Sequence, residues 1–154
     1  MKLSRIVLTA VAIFVAGLTS MAQEKEKKIT EKEVPAVIIQ NFRQTYPKAI
    51  IRGYANETEN GKQYYEIESR DGMTRRDVLY NPDGTVAEVE ESLDPNRLPA
   101  AALQAIKQKY PRAVITLAEK TTTGDKVTFE VSAREGRKRF TMEFDSDGKV
   151  LPKP

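Results

Sequence analysis

Hydrophobic positions along the chain change period in a fixed order, and do so twice. Val34, Val37, Ile38, Phe42 and Thr45 recur at steps of three and four, as do Leu98, Ala102, Ile106 and Tyr110, which gathers each set on one helix face. Pro47 and Pro111 stop these helices, because the residue before a proline is driven out of the α region. Pro35 and Pro99 stand in the first turn, where a missing N–H costs nothing. Beyond each stop the period falls to two. Tyr65 and Ile67 alternate with Glu66 and Glu68, and Val127, Phe129 and Val131 alternate with Thr128 and Glu130. Val78 and Tyr80, then Phe140, Met142 and Phe144, take the inward positions of the strands that follow. Asn60-Gly61, Asp71-Gly72 and Asn81-Pro82-Asp83-Gly84 mark turns, matched later by Gly124-Asp125, Glu135-Gly136 and Asp145-Ser146-Asp147-Gly148. Their glycines tolerate the positive φ that tight hairpins require. The predicted strands are 49–58, 62–70, 73–80 and 85–92, then 113–122, 126–134, 137–144 and 149–153.

The two halves are copies. Residues 98–150 fall on residues 34–86 at a constant offset of 64, without a gap, and roughly a third of the 53 overlaid positions are identical. Such a repeat is one supersecondary unit used twice. The expected fold is therefore α+β: two tandem α-β-β-β-β repeats, each one helix packed on a four-stranded antiparallel sheet, spanning 33–92 and 93–154. A unit of about 60 residues is close to the lower limit for a stable core. The short link from Glu91 to Asn96 then implies two units in close contact.

The N-terminal segment reads differently. Lys2 and Arg5 precede an apolar run from Ile6 to Leu18, and Ser20-Met21-Ala22 supplies small residues at the positions a signal peptidase reads, so residues 1–22 are expected to be a cleaved signal, cut after Ala22. Thirteen residues are too few to cross a bilayer, which takes about 20. No membrane span is expected after cleavage, and the mature protein is expected to be periplasmic or secreted. Residues 23–32, QEKEKKITEK, read as a flexible leader. Removing the signal leaves 23 basic and 22 acidic side chains, of alternating sign, with no basic face of the kind a nucleic-acid binder needs.

At this point the residues resemble a known family. Tyr46-Pro47-Lys48-Ala49 with Asp83-Gly84-Thr85-Val86, and Tyr110-Pro111-Arg112-Ala113 with Asp147-Gly148-Lys149-Val150, frame a Tyr/Phe-Glu-Ile/Val strand in each copy. The arrangement, over about residues 33–150, is similar to the exported β-lactamase-inhibitor-like, PepSY-like family found mostly in Bacteroidota. That resemblance implies units as in the β-lactamase inhibitor proteins, whose sheets together present a concave surface, and binding or inhibition as the mode of action. It brings no catalytic or cofactor residues. The inhibitors themselves carry internal disulfides, which this cysteine-free chain cannot form.

Composition narrows the chemistry further. Without histidine or cysteine, histidine-based acid–base pairs, Ser-His-Asp and Cys-His arrangements and histidine metal sites are unavailable. Catalytic, cofactor and metal residues are accordingly expected to be none. Glu66 and Glu130 recur at equivalent positions and read as solvated cross-strand partners of Arg75 and Arg139. Asp145-Ser146-Asp147-Gly148 reads as a hairpin turn and not a calcium loop, which needs a glutamate at its twelfth position. The expected site is the sheet face turned away from the helices. Its outward set is Ile50, Arg52 and Tyr54, then Tyr64, Glu66 and Glu68, then Arg75, Asp77 and Leu79. Exposed Tyr and Arg beside aliphatics match protein-binding hot spots, so Arg52, Tyr54, Tyr64, Arg75 and Leu79 are the candidate contacts for a protein or peptide. The alternative is a small ligand, or a role in envelope stress, using a groove between the repeats.

Overall fold

The computed structural model describes residues 25–59 and 61–152; the signal segment lies outside them. Strands β1 (Lys25–Ile29), β2 (Ile50–Glu59), β3 (Lys62–Asp71), β4 (Thr74–Tyr80), β5 (Val86–Ser92), β6 (Val114–Thr123), β7 (Lys126–Glu135) and β8 (Lys138–Asp145) form one antiparallel sheet in chain order. Helix α1 (Ala36–Thr45) precedes β2, and α2 (Ala100–Lys109) precedes β6. The sheet runs unbroken from one repeat to the next through the β5–β6 pair, in which Val89 faces Thr122 and Ser92 faces Glu119. Each strand therefore supplies its neighbour's hydrogen bonds, and the repeats form one continuous body.

Both helices lie on the same side of this sheet, each over its own core. Ile38 and Phe42 of α1 pack with Ile67, Val78 and Tyr80, and Ala102 and Ile106 of α2 pack with Ala118, Val131, Met142 and Phe144. Val37, expected on the buried stripe, is 40% exposed and instead abuts the Asn-Pro-Asp-Gly turn. That turn and its copy hold the glycines whose freedom the fold needs most. Gly84 and Gly148 have φ of +89° and +82°, and a Cβ on Gly148 would sit 2.7 Å from the Ala102 amide nitrogen. The motif brings the turn backbone directly under the start of each helix.

The copies differ in how the tyrosine ending each helix is held. Tyr110 stacks on Phe140 with ring centroids 3.8 Å apart, whereas Tyr46 lies under the guanidinium of Arg76, 4.1 Å from its centroid. Arg76 is nearly buried, and its Nε donates to Glu91 at 2.7 Å. The same place is thus filled by an aromatic pair in one repeat and by a cation over a ring in the other.

Two expected elements are corrected. Among the described residues the second repeat has no fourth strand where 149–153 was expected to form one: residues 149–152 contribute a bridge from Val150 to Phe144 and bonds from the Asp145 N–H to the Lys149 carbonyl and from the Leu151 N–H to the Glu143 carbonyl, and Pro152 has no N–H to continue. Among the described residues the tandem unit is thus α-β-β-β-β in the first copy and α-β-β-β in the second. The eighth strand comes from the other end. Part of the segment expected as a flexible leader, 23–32, forms β1, which pairs along β2 from Lys25–Thr58 to Ile29–Tyr54.

Candidate functional site: the uncovered sheet face

Cross-strand register decides which side chains share the face opposite the helices. Ala55, Glu66, Leu79 and Glu88 occupy one row across β2 to β5. Gly53, Glu68, Asp77, Glu90, Thr121 and Thr128 form the next, and Glu119, Glu130 and Glu143 continue the face across β6 to β8. Among the described residues no helix covers this side. Even so, Ala55 is fully buried, and Glu66 and Thr121 are only 8% and 7% exposed. Burial without a covering element is what a concave face gives, and the bulges in β2 and β6 bend those strands.

The face is acidic and short of counter-ions. Burial together with Glu57, Asp77, Glu68 and Glu26 pushes the Glu66 carboxyl up to about 8. Burial, with Glu119, Asp77, Glu130 and Glu88, does the same to Glu90, also to about 8. Asp77 is raised to about 6 by burial and by Glu68, partly offset by Arg75. Glu130 is pushed up by burial, Glu119 and Glu143. Glu119 is pushed up by burial too, against the pull of Arg75 and a hydrogen bond from Glu90. Arg75 reaches Glu119 at 3.4 Å, and Lys28 reaches Glu68 at 3.8 Å. Carboxylates held in this way either keep protons or wait for a cation, since like charges at close range cannot all ionise cheaply.

The five candidate contacts separate. Tyr64, Arg75 and Leu79 lie on this face, opposite Glu57, Arg70 and Glu66 respectively. Tyr54 does not. An extra residue at Arg52 shifts the β2 register between Ile51 and Gly53, so that Tyr54 pairs with Ile67 and packs toward α1. Its hydroxyl donates to Glu31 at 2.6 Å. A one-residue slip sends every later side chain to the opposite face, and Ala118 is turned inward by the equivalent bulge between Ile115 and Leu117. Arg52 and Tyr54 instead line a cleft of about 750 Å³ on the helix side, with Arg43, Glu31 and Pro47. This cleft lies within the first repeat, not between the two.

The expected Glu66–Arg75 pairing is also corrected. Glu66 stands opposite Leu79 while Arg75 stands opposite Arg70, so Arg75 crosses the seam between repeats to Glu119. Glu57, Glu88, Glu90 and Glu119, now on the face, escaped sequence reasoning. Glu57 and Glu119 follow from the bulges in β2 and β6, and Glu88 and Glu90 come from a strand where acids sit among residues of mixed polarity.

A single bent antiparallel sheet built from a duplicated unit, with both helices on one side, defines a class of two-repeat scaffold proteins. The family model described as "Putative beta-lactamase-inhibitor-like, PepSY-like" matches residues 19–88 and 63–152, and the chain belongs to that family. Among solved structures it is similar to a protein from Bacteroides eggerthii described as a putative periplasmic protein, at 15% identity and a TM-score of 0.63, covering 77% of this chain and 86% of that one. It is also similar to a BLIP-like protein from Bacteroides fragilis, at 21% identity and a TM-score of 0.59, covering 77% and 84%. At these identities the likeness is one of fold. No curated protein matches the chain. Among the described residues no helix is long and apolar enough to cross a membrane.

Proposed function

We propose that the mature protein is an exported, non-enzymatic binding module of the periplasm or cell exterior, and that its uncovered sheet face receives a basic protein or peptide segment. The observation that carries this reading is the row of half-buried carboxylates on a face that no helix covers. Lysines or arginines of a partner would supply the missing counter-charge, with Tyr64 and Leu79 giving apolar contact and Arg75 setting orientation. Charge complementarity of this kind fixes register and speeds encounter. Family membership supports binding over catalysis, and the absence of histidine and cysteine from the sequence removes the commonest acid–base and nucleophilic groups.

The test is affinity capture from the native envelope with three baits: the wild type, a variant carrying Glu88→Lys and Glu90→Lys on the open face, and one carrying Gln40→Lys and Gln104→Lys on the helices. A partner held by the wild type and the helix variant, lost by the open-face variant and released by salt, supports the reading. Retention by all three refutes it.

The cleft supports a second, smaller reading. Arg52 beside an apolar floor suits a small carboxylate or phosphate ester, which would compete with Glu31 for Arg43 and the Tyr54 hydroxyl. Tyrosine fluorescence that saturates on adding such a compound, and does so equally in the open-face variant, would favour it.

A further inference from the structure

The acidic face is not uniform. At its β1 edge the carboxylates of Glu26, Glu66 and Glu68 each place an oxygen within 4.8 Å of the others. Glu66 is 8% exposed, yet its carboxylate takes part in no hydrogen bond or ion pair among the described residues. A carboxylate with so little solvent and no partner is an anomaly, because buried charge is ordinarily paired. The backbone around it makes room. Gly53, opposite Glu68, has no side chain, and a Cβ there would meet the Glu68 carboxyl group at 3.1 Å. Ala55, opposite Glu66, ends at its Cβ. Two small residues on β2 thus form the floor of a cradle into which acids from β1 and β3 lean.

We propose that Glu26, Glu66 and Glu68 form a site for a hard divalent cation of the calcium kind. Oxygens all within 4.8 Å of one another can close on a central ion with ligands near 2.4 Å, the distance of calcium, whose flexible shell accepts carboxylates in irregular geometry where magnesium demands a near-ideal octahedron. Zinc favours nitrogen and sulfur donors, and the chain has neither histidine nor cysteine. Three carboxylates, each able to bind through one or both oxygens, leave the remaining positions to water. Lys28, 3.8 Å from Glu68 and largely exposed, stands at the rim, where its flexible stem lets it swing aside.

The duplication supplies an internal comparison. At the matching places the second repeat has Leu117 for Gly53, Glu119 for Ala55 and Ser132 for Glu68, and the strand beside β6 is the central β5 instead of an edge strand such as β1. Glu130 remains, but the small-residue floor and the counterpart of Glu68 are gone, and no group of three acids closes around it among the described residues. The cradle is a property of the first repeat alone. Because Glu26 sits on the edge strand, a seated cation also ties β1 to the sheet.

The test is calcium chloride titration into the mature chain at physiological ionic strength, followed by calorimetry, with no protein partner present, so that its outcome is separate from that of the binding-face reading. One saturable site with a Kd on the order of 0.1–1 mM is expected, the range of extracellular calcium modules. Glu66→Gln and Glu26→Gln should each weaken it at least tenfold, and Glu130→Gln should leave it unchanged. Hydrogen exchange gives a second readout: calcium should slow exchange across β1 in the wild type and not in Glu26→Gln, an exposed edge substitution compatible with folding. Absence of saturable binding, equal binding by Glu66→Gln, or exchange in β1 indifferent to calcium would overturn the proposal.

Discussion

Replacing Glu90 by Gln should make the protein less sensitive to alkaline pH. Glu90 lies mid-sheet on the open face, with Asp77 opposite on β4 and Thr121 opposite on β6. Glu88 flanks it on its own strand, and Glu119 and Glu130 approach from β6 and β7, with Arg75 engaged by Glu119. Folding lifts its carboxyl from an ordinary 4.5 to about 8. Between those values the unfolded chain has released the proton and the folded chain still holds it. The unfolded state then binds fewer protons, so stability falls as pH rises through that window and levels off above it. A shift of roughly three and a half units at ~1.36 kcal/mol each sets an upper bound of ~5 kcal/mol. The neighbouring acids titrate together and the side chain keeps some contact with water, so a net effect of ~2 kcal/mol is the working figure. Glutamine keeps a donor for Glu119 and carries no charge. Urea unfolding followed by far-UV circular dichroism, in EDTA at about pH 5 and about pH 8.5, measures the difference. The wild type should lose stability between the two, and Glu90→Gln should lose ~2 kcal/mol less and be the more stable protein at the higher pH. Equal pH slopes, or a variant weaker than wild type at about pH 8.5, would refute the reasoning.

Gly148→Ala should cost ~2–4 kcal/mol, from a left-handed backbone and overpacking against α2, while Gly124→Ala, at φ +57° with nothing near its Cβ, should cost ~1 kcal/mol in the same urea assay. Arg76→Ala should destabilise by ~2–3 kcal/mol, because it leaves Glu91 without its partner and removes the cation over Tyr46; thermal unfolding reads this directly. Tyr54→Phe should cost ~1 kcal/mol through the lost bond to Glu31, and should leave capture by the open face unchanged if Tyr54 is a cleft residue, as its register places it.

Much of the scaffold was legible because the chain states its plan twice. Tyr-Pro stops, Asp-Gly turns and alternating Tyr65, Ile67, Val78 and Tyr80 each point to one local conformation, and a second copy repeats them. What alternation could not carry was a bulge. Arg52 and Thr116 insert one residue without any glycine or proline signal at the bulged position itself, so simple parity assigns Tyr54 to the wrong face and would do the same for Ala118. Strand β1 was hidden for a related reason. Its KEKKI sequence has the composition of a solvated tail, and only pairing along β2 makes it a strand. Glu66 read as a surface acid because exposure was inferred from polarity, whereas the bend of the sheet encloses it.

The proposed binding face is open to one direct measurement in the intact envelope. A photo-crosslinking residue placed at Tyr64 or at Glu88 should yield a discrete, reproducible protein adduct, and one placed at Gln40 or Gln104 on the helices should yield none. Adducts from the helix positions alone, or the same labelling from both sides of the sheet, would contradict the account.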